Sequence, residues 1–89
     1  MEIQKIASAG TMESSDVYVE IEPGECGIQL QIQSVVQDQF GEAIEATVMQ
    51  VLKEQGVERA VVRIADRGAL DCVLRARMEA AILRGRGEM

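Results

Sequence analysis

Hydrophobic and polar residues alternate in two stretches of the first third of the chain, from Asp16 to Glu22 and from Ile28 to Gln33. This period of two predicts two half-buried β-strands. Pro23 and Gly24 interrupt the alternation, so we expect the strands to pair as a hairpin around Pro23 to Gly27. The apolar residues on its covered face would be Val17, Val19, Ile21, Ile28, Leu30 and Ile32.

An amphipathic helix is predicted next, because apolar residues recur at three- and four-residue spacing. Ser34 with Gln37 resembles a capping box at its start, and Gly56 is expected to end it. Its buried stripe would consist of Val36, Phe40, Ile44, Val48, Val51 and Leu52.

The short β-branched run Ala60 to Ala65 predicts a central strand, and Gly68 permits a turn after it. A second helix is predicted from about Ala69 to Leu83, and residues Gly85 to Met89 are expected to fray. The buried side of this helix would consist of Leu70, Val73, Leu74, Met78, Ala81 and Ile82.

These elements predict one α+β domain over residues 1–89, with a small, mainly antiparallel sheet and two helices packed on one face, in the order β-β-α-β-α. Residues 1–15 are expected to form a flexible N-terminal segment, and residues 85–89 a frayed tail. A chain of 89 residues buries roughly 60 to 65% of its unfolded surface, which leaves little room for a deep active site.

Composition narrows the chemistry further. The chain has no histidine, the usual general base near neutral pH and a common metal ligand, so we expect neither a catalytic centre nor a metal site. Fifteen acidic and nine basic residues give a net charge of −6, which disfavours nucleic acid and anionic membranes as partners.

Cysteines and carboxylates offer the remaining candidates for reactivity. Cys26 and Cys72 lack a CxxC spacing, and we see no signal peptide or membrane-length apolar run, so a reduced, cytoplasmic protein with two partly buried thiols is expected. Four carboxylates have side chains suited to acid and base catalysis, but nothing in their spacing marks a pair, and each is interpreted as solvated. They are Glu20, Glu22, Asp66 and Asp71.

Periodicity leaves one segment unexplained, the small and polar residues from Ala9 to Asp16, which predict a loop. A hydroxyl in an exposed loop can be modified by another enzyme that supplies both the base and the electrophile. Ser14 and Ser15 therefore need only to be accessible.

The segment Ala9 to Asp16 closely resembles the attachment motif of the acyl carrier (gamma) subunits of citrate lyase. Gly68 to Ala80 resembles the C-terminal signature of that family, and Gln39 to Gly41, with Ile44, resembles its central helix. The similarity spans nearly the whole chain. It departs from the family pattern at two positions, where Leu and Lys are expected and this chain has Met12 and Arg67.

The resemblance implies that Ser14 carries, through a phosphodiester, a 2'-(5''-phosphoribosyl)-3'-dephospho-coenzyme A group attached by holo-citrate-lyase synthase. Ser14 is preferred because the family position that matches Ser15 can be Gly. It also implies that the alpha subunit exchanges acetyl for citryl on the terminal thiol and the beta subunit cleaves the citryl thioester. The carrier itself would catalyse neither step.

Several alternatives stay open at this point. The carriers of citramalate lyase and malonate decarboxylase are similar, whereas phosphopantetheine carriers are helical bundles with their serine at a helix start. Cys72 could bear the acyl group, although its place beside Leu70, Val73 and Leu74 predicts partial burial. A small, unmodified α+β interaction module is the alternative from a different class.

Overall fold

The elements of the fold come from a computed structural model that describes residues 2–35 and 37–88, with the backbone alone for residues 37–40. Four strands and two helices follow in the order β-β-β-α-β-α. Their bounds are β1 (Ala7–Gly10), β2 (Val17–Pro23), β3 (Ile28–Ser34), α1 (Gln37–Glu54), β4 (Ala60–Asp66) and α2 (Asp71–Arg86).

The strands form one mixed sheet in the order β1-β2-β4-β3. β4 lies antiparallel to β2 and parallel to β3, so the prediction of a central strand is confirmed. The predicted hairpin between β2 and β3 is wrong, because β4 is inserted between them. Two similarly alternating strands joined by a short turn do not reveal a third strand that binds both.

The connection between β2 and β3 crosses the start of β4. Pro23 and Ile28 are both register partners of Ala60, and the Ala60 N–H donates to the Gly27 carbonyl at 3.1 Å. A Cβ at Gly24 would lie 2.8 Å from the Ala60 nitrogen. Glycine is therefore required at Gly24 by close backbone approach, rather than by the hairpin turn that we predicted.

Strand β1 was missed by the sequence interpretation, which assigned residues 1–15 to a flexible segment. Ala7–Gly10 pairs antiparallel with β2 at the edge of the sheet, and Ala9 is buried. Its small residues, Ala, Ser, Ala and Gly, have little intrinsic strand preference, so this strand depends on its pairing partner.

Both helices cover the same face of the sheet, which confirms the two-layer prediction. On α1, Ile44, Val48, Val51 and Leu52 are buried, whereas Val36 and the Phe40 side chain lie outside the described residues. α1 ends at Glu54, and Gly56 adopts a φ of +71°, as expected. The Ser34 hydroxyl donates to Asp66, and the Gln37 half of the predicted capping box lies outside the described side chains.

Helix α2 differs from its prediction at both ends. Leu74, Met78, Ala81 and Ile82 are buried and Val73 packs against them, but Leu70 precedes the helix and is 71% exposed. At the other end the helix continues to Arg86, so the predicted fraying is wrong for its first two residues. Gly85 is buried, and its carbonyl accepts the N–H groups of Gln4 and Lys5 at 2.8 and 3.1 Å.

The opposite face of the sheet is open and polar. Arg63 pairs with Glu20 and Glu22, each at 3.0 Å, so these carboxylates form a surface ion-pair cluster. This arrangement agrees with their interpretation as non-catalytic groups. Neither helix within residues 2–35 and 37–88 is long and apolar enough to cross a membrane.

The two faces of β4 should respond differently to the same substitution. We expect Val62→Ala, on the fully buried face, to lower the free energy of unfolding by about 2 kcal/mol through loss of packing. Val61→Ala, on the open face, should cost under about 1 kcal/mol. Urea unfolding of both variants measures the difference, and equal losses would contradict a sheet covered on one side.

Candidate attachment site

Ser14 occupies the corner of a tight turn in the loop between β1 and β2. The Asp16 N–H donates to the Glu13 carbonyl at 3.1 Å, which closes a four-residue turn with Ser14 and Ser15 at its centre. Both serines are exposed. The Ser14 hydroxyl makes no hydrogen bond to the residues that the structure describes, so the turn presents it to solvent.

Ser15 has a different role, which its backbone conformation reveals. Its φ is +68°, and no other described non-glycine residue has a positive φ. A positive φ at the third position of a turn is characteristic of type II turns, where Gly is preferred. Ser15 is therefore a turn-forming position that Gly would also fit, whereas Ser14 is unrestricted by this requirement.

The turn is tied to the segment that follows the central strand. The Ser15 N–H donates to the Arg67 carbonyl at 2.8 Å, and the Arg67 N–H donates to the Asp16 carbonyl at 2.9 Å. These two bonds extend the β2–β4 pairing beyond Val17 and Asp66, with both Ser15 and Asp16 opposite Arg67, the pattern of a β-bulge. The loop is consequently held at the end of the sheet, and it is exposed without being detached.

The Asp16 carboxylate braces the base of the loop. Arg77 of α2 donates through Nε to Oδ1 at 3.2 Å and through Nη2 to Oδ2 at 2.8 Å, a bidentate ion pair. The Thr11 hydroxyl donates to Oδ2 and the Val17 N–H to Oδ1, each at 2.7 Å. Hydrogen bonds from Arg77, then Thr11 and Val17, lower the pKa of Asp16 from 3.8 to about 2.

Gly10 allows the loop to leave β1 beside Arg77. Its φ is +96°, and a Cβ there would lie 1.8 Å from the Val17 carbonyl oxygen and 3.3 Å from Arg77 Cδ. Any side chain would therefore collide with the backbone of β2. The sequence interpretation included Gly10 in the loop but contained no signal for this contact.

Asp66 is a structural carboxylate that the sequence interpretation wrongly placed in solvent. It is only 4% exposed, and its oxygens accept the Ser34 hydroxyl at 2.7 Å and the Ala69 N–H at 3.0 Å. The Val35 N–H also donates to the Asp66 carbonyl at 3.3 Å. Asp66 thus joins the end of β3, the end of β4 and the loop that leads to α2.

Among the described residues, the other candidate groups make no hydrogen bond or ion pair with the turn. Cys26 and Cys72 are both free and exposed, so their predicted partial burial is wrong. Asp71 is exposed and accepts the Thr47 hydroxyl at 2.5 Å, which links the two helices. The structure does not bring either thiol or Asp71 into one cluster with Ser14.

Three surface clefts are too small for an enclosed substrate site. Their volumes are about 210, 210 and 140 Å³, below the roughly 300–1,000 Å³ of typical small-molecule pockets. The geometry thus consists of an accessible hydroxyl on a braced turn, next to shallow surfaces.

Comparison with known proteins identifies the family. The chain is 58% identical over 85 residues to the citrate lyase acyl carrier protein of Escherichia fergusonii, covering 94% of this chain and 88% of that protein. It belongs to the citrate lyase acyl carrier protein family. The corresponding protein of Haemophilus influenzae strain PittGG is 52% identical over 89 residues, covering 100% of this chain and 93% of that protein. The family model described as the malonate decarboxylase delta subunit matches residues 4–85.

Solved structures share the fold of this chain. A chain of a Pseudomonas malonate decarboxylase hetero-tetramer, crystallised with malonate, superposes with a TM-score of 0.80 at 26% identity, covering 91% of this chain and 84% of that chain. A Thermus thermophilus structure reaches a TM-score of 0.60 at 14% identity, covering 98% of this chain and 16% of that one, which shows likeness of fold alone. The relatives are thus named as acyl carrier proteins of citrate lyase, and the solved chain belongs to a multi-subunit decarboxylase.

Family membership confirms that the chain is a non-catalytic carrier that functions with a prosthetic group. Family membership therefore argues against the alternative of a small, unmodified interaction module. The sheet-based fold likewise separates the chain from helical-bundle carriers, because its serine turn joins two strands.

The ion pair between Asp16 and Arg77 predicts how mutation of Arg77 changes the pKa of Asp16. Arg77→Gln should raise the pKa of Asp16 from about 2 toward 3.8, because it removes the strongest stabilising hydrogen bonds. Carboxyl carbon shifts measured by NMR against pH would show this. Arg75→Gln, two residues away on α2 and paired with Glu54 instead, should leave the Asp16 pKa unchanged.

The same pair sets a pH dependence of stability. The folded pKa of Asp16 lies below its ordinary value of 3.8, so its stabilising contribution is complete above that pH. The contribution is lost as the pH falls through about 2. The difference in free energy of unfolding between the parent and Arg77→Gln should therefore shrink as the pH falls from 3.8 to about 2. A constant difference would contradict a stabilising Asp16–Arg77 pair.

Gly10→Ala should destabilise the protein more than Gly68→Ala. Both residues have left-handed backbones, with φ of +96° and +93°, so each variant incurs about 1–2 kcal/mol of conformational strain. Only the Gly10 variant adds the collision with Val17, since nothing lies within 4 Å of a Cβ at Gly68. Denaturant unfolding should show at least about 2 kcal/mol between them. Equal losses would rule out the close contact.

Proposed function

We propose that the chain is the acyl carrier subunit of citrate lyase and that Ser14 is the attachment point of its prosthetic group. The observation that carries the assignment of Ser14 is its exposed hydroxyl at the corner of a turn held by Arg67 and Asp16. Family membership supports the carrier role, and the braced turn supports the choice of residue.

The residues at the turn fit a phosphodiester-linked coenzyme A derivative, 2'-(5''-phosphoribosyl)-3'-dephospho-coenzyme A. An unengaged serine hydroxyl is a suitable nucleophile for phosphate ester formation once a base on another protein removes its proton. The clefts of about 210 Å³ that described residues line do not enclose a group of that size, so its free end would extend beyond them. When attached, the group supplies a thiol for thioester chemistry.

Attachment requires only one new bond. The Ser14 Oγ forms a bond to phosphorus of an activated phosphate-ester precursor, and the bond from phosphorus to its phosphate leaving group breaks. The hydroxyl proton passes to a base on holo-citrate-lyase synthase. This chain contributes position and access, since Ser15 and Asp16 fix the turn while Ser14 is exposed.

The proposed partners are the alpha and beta subunits of citrate lyase, in the cytoplasm. A chain without histidine depends on them for proton transfer during acyl exchange and cleavage. Tethering the reactive thiol raises its effective concentration at each partner's site to roughly millimolar, so repeated weak docking is sufficient.

A role in malonate decarboxylase is the second candidate. It is favoured by the TM-score of 0.80 to the Pseudomonas hetero-tetramer and by the family model. The identity to that chain is 26%, against 58% to the carrier of Escherichia fergusonii, so citrate lyase is preferred.

Intact mass decides the attachment residue. We expect the parent chain, co-expressed with the synthase and its precursor pathway, to gain the mass of the group, and Ser14→Ala to gain none. Ser15→Gly should be modified fully, because Gly fits the positive φ of that position.

Two results would count against this proposal. A mass gain that persists in Ser14→Ala and disappears in Ser15→Ala would assign the attachment to Ser15. No mass gain in the parent or in any variant would show that the chain is not modified. Cys72→Ser is a further control that should leave acyl loading unchanged, although the thiol is exposed.

A further inference from the structure

Arg67 lies directly beside the attachment turn. Its N–H and carbonyl bond to Asp16 and Ser15 at 2.9 and 2.8 Å, so its backbone position is fixed relative to Ser14. The side chain is exposed. Arg67 is thus an exposed cation whose backbone is hydrogen-bonded to the turn that contains Ser14.

The guanidinium of Arg67 has no partner among the residues that the structure describes. Arg63, Arg75, Arg77 and Arg86 each pair with a carboxylate, and Arg84 donates to the Ser8 carbonyl. Arg59 resembles Arg67 in making no ion pair within the described residues, but it precedes β4 whereas Arg67 follows it. The seven intervening residues separate these cations by about 25 Å.

A cleft of about 210 Å³ opens next to Arg67. Met12 and Val35 line it and are 53% and 64% exposed, so the cleft presents two large apolar side chains to solvent. Ser34 and Asp66 also line it, and the Asp66 oxygens already accept hydrogen bonds. The lining thus places one available cation beside two exposed apolar side chains, with Gln33, Ser34 and Asp66 as its polar remainder. Met12 lies two residues before Ser14.

We propose that this cleft is a resting site for the chain's own prosthetic group, in which Arg67 binds a phosphate and Met12 and Val35 contact a less polar part. The inference rests on the proposed attachment at Ser14. A guanidinium matches phosphate geometry through paired N–H donors. The covalent link supplies the high local concentration that makes one exposed cation sufficient.

The position of the cleft favours a tethered group over a protein partner. Met12 lies two residues before Ser14, and the Arg67 backbone bonds to Ser15 and Asp16, so a group on Ser14 can reach the cleft while it stays attached. The net charge of −6 disfavours phosphate binding to the domain as a whole, so binding at this one cation would be weak and the group would be released readily to partners.

The test compares modified and unmodified protein by NMR. Modification of ¹⁵N-labelled chain is first verified by intact mass, and amide shifts of the two forms are then compared for the parent, Arg67→Gln and Arg59→Gln. We expect parent shifts to extend beyond the turn to Met12, Val35 and Ala65 to Gly68. Arg67→Gln should reduce the distant shifts roughly fivefold, and Arg59→Gln, with the same charge change, should preserve them.

Phosphorus relaxation gives an independent readout. Bound phosphates should relax faster in the parent than in Arg67→Gln, with Arg67→Lys intermediate because it retains charge without the paired donors. Shifts confined to residues 13–15, or unaffected by Arg67→Gln, would overturn the resting site. So would an Arg67 effect limited to the rate of modification, which would indicate recognition of the synthase. Absence of the mass gain would instead refute the attachment itself, before any NMR comparison.

Discussion

The insertion of β4 between β2 and β3 is the constraint on which the site depends. Its main-chain bonds to both neighbours complete a sheet whose apolar face can be covered by two helices. The same pairing brings the end of β4 beside the loop that leaves β1, so Arg67 can bond to Ser15 and Asp16. The position of the serine turn is therefore a consequence of strand order.

The serine turn is ordered at its base, yet its Ser14 hydroxyl is accessible, because different groups make the two kinds of contact. Backbone bonds and the Asp16–Arg77 pair hold the base of the loop, whereas the Ser14 hydroxyl is engaged by none of the described residues. Under the proposed attachment at Ser14, a modifying enzyme would therefore meet the hydroxyl in a defined geometry. The mobility that a carrier needs would come from the attached group rather than from unfolding of the loop.

Four carboxylates that make hydrogen bonds or ion pairs in this protein have structural roles. Asp16 binds Arg77, Asp66 joins strand ends, and Glu20 and Glu22 flank Arg63. Each of these carboxylates is satisfied by a donor, which accounts for them without acid or base catalysis. This distribution agrees with a carrier subunit whose chemistry takes place on other proteins.

The sequence by itself determined the types of β2 to β4 and of both helices, four buried positions of α1 and the exposed serine loop, because periodicity and turn residues are local signals. Motif resemblance also identified the carrier family. Tertiary structure alone decided that β4 separates β2 from β3, that Ala7–Gly10 is a strand, and that Asp66 is buried. These features depend on which segments pair across the fold, and that pairing is a non-local choice that no single stretch of residues encodes.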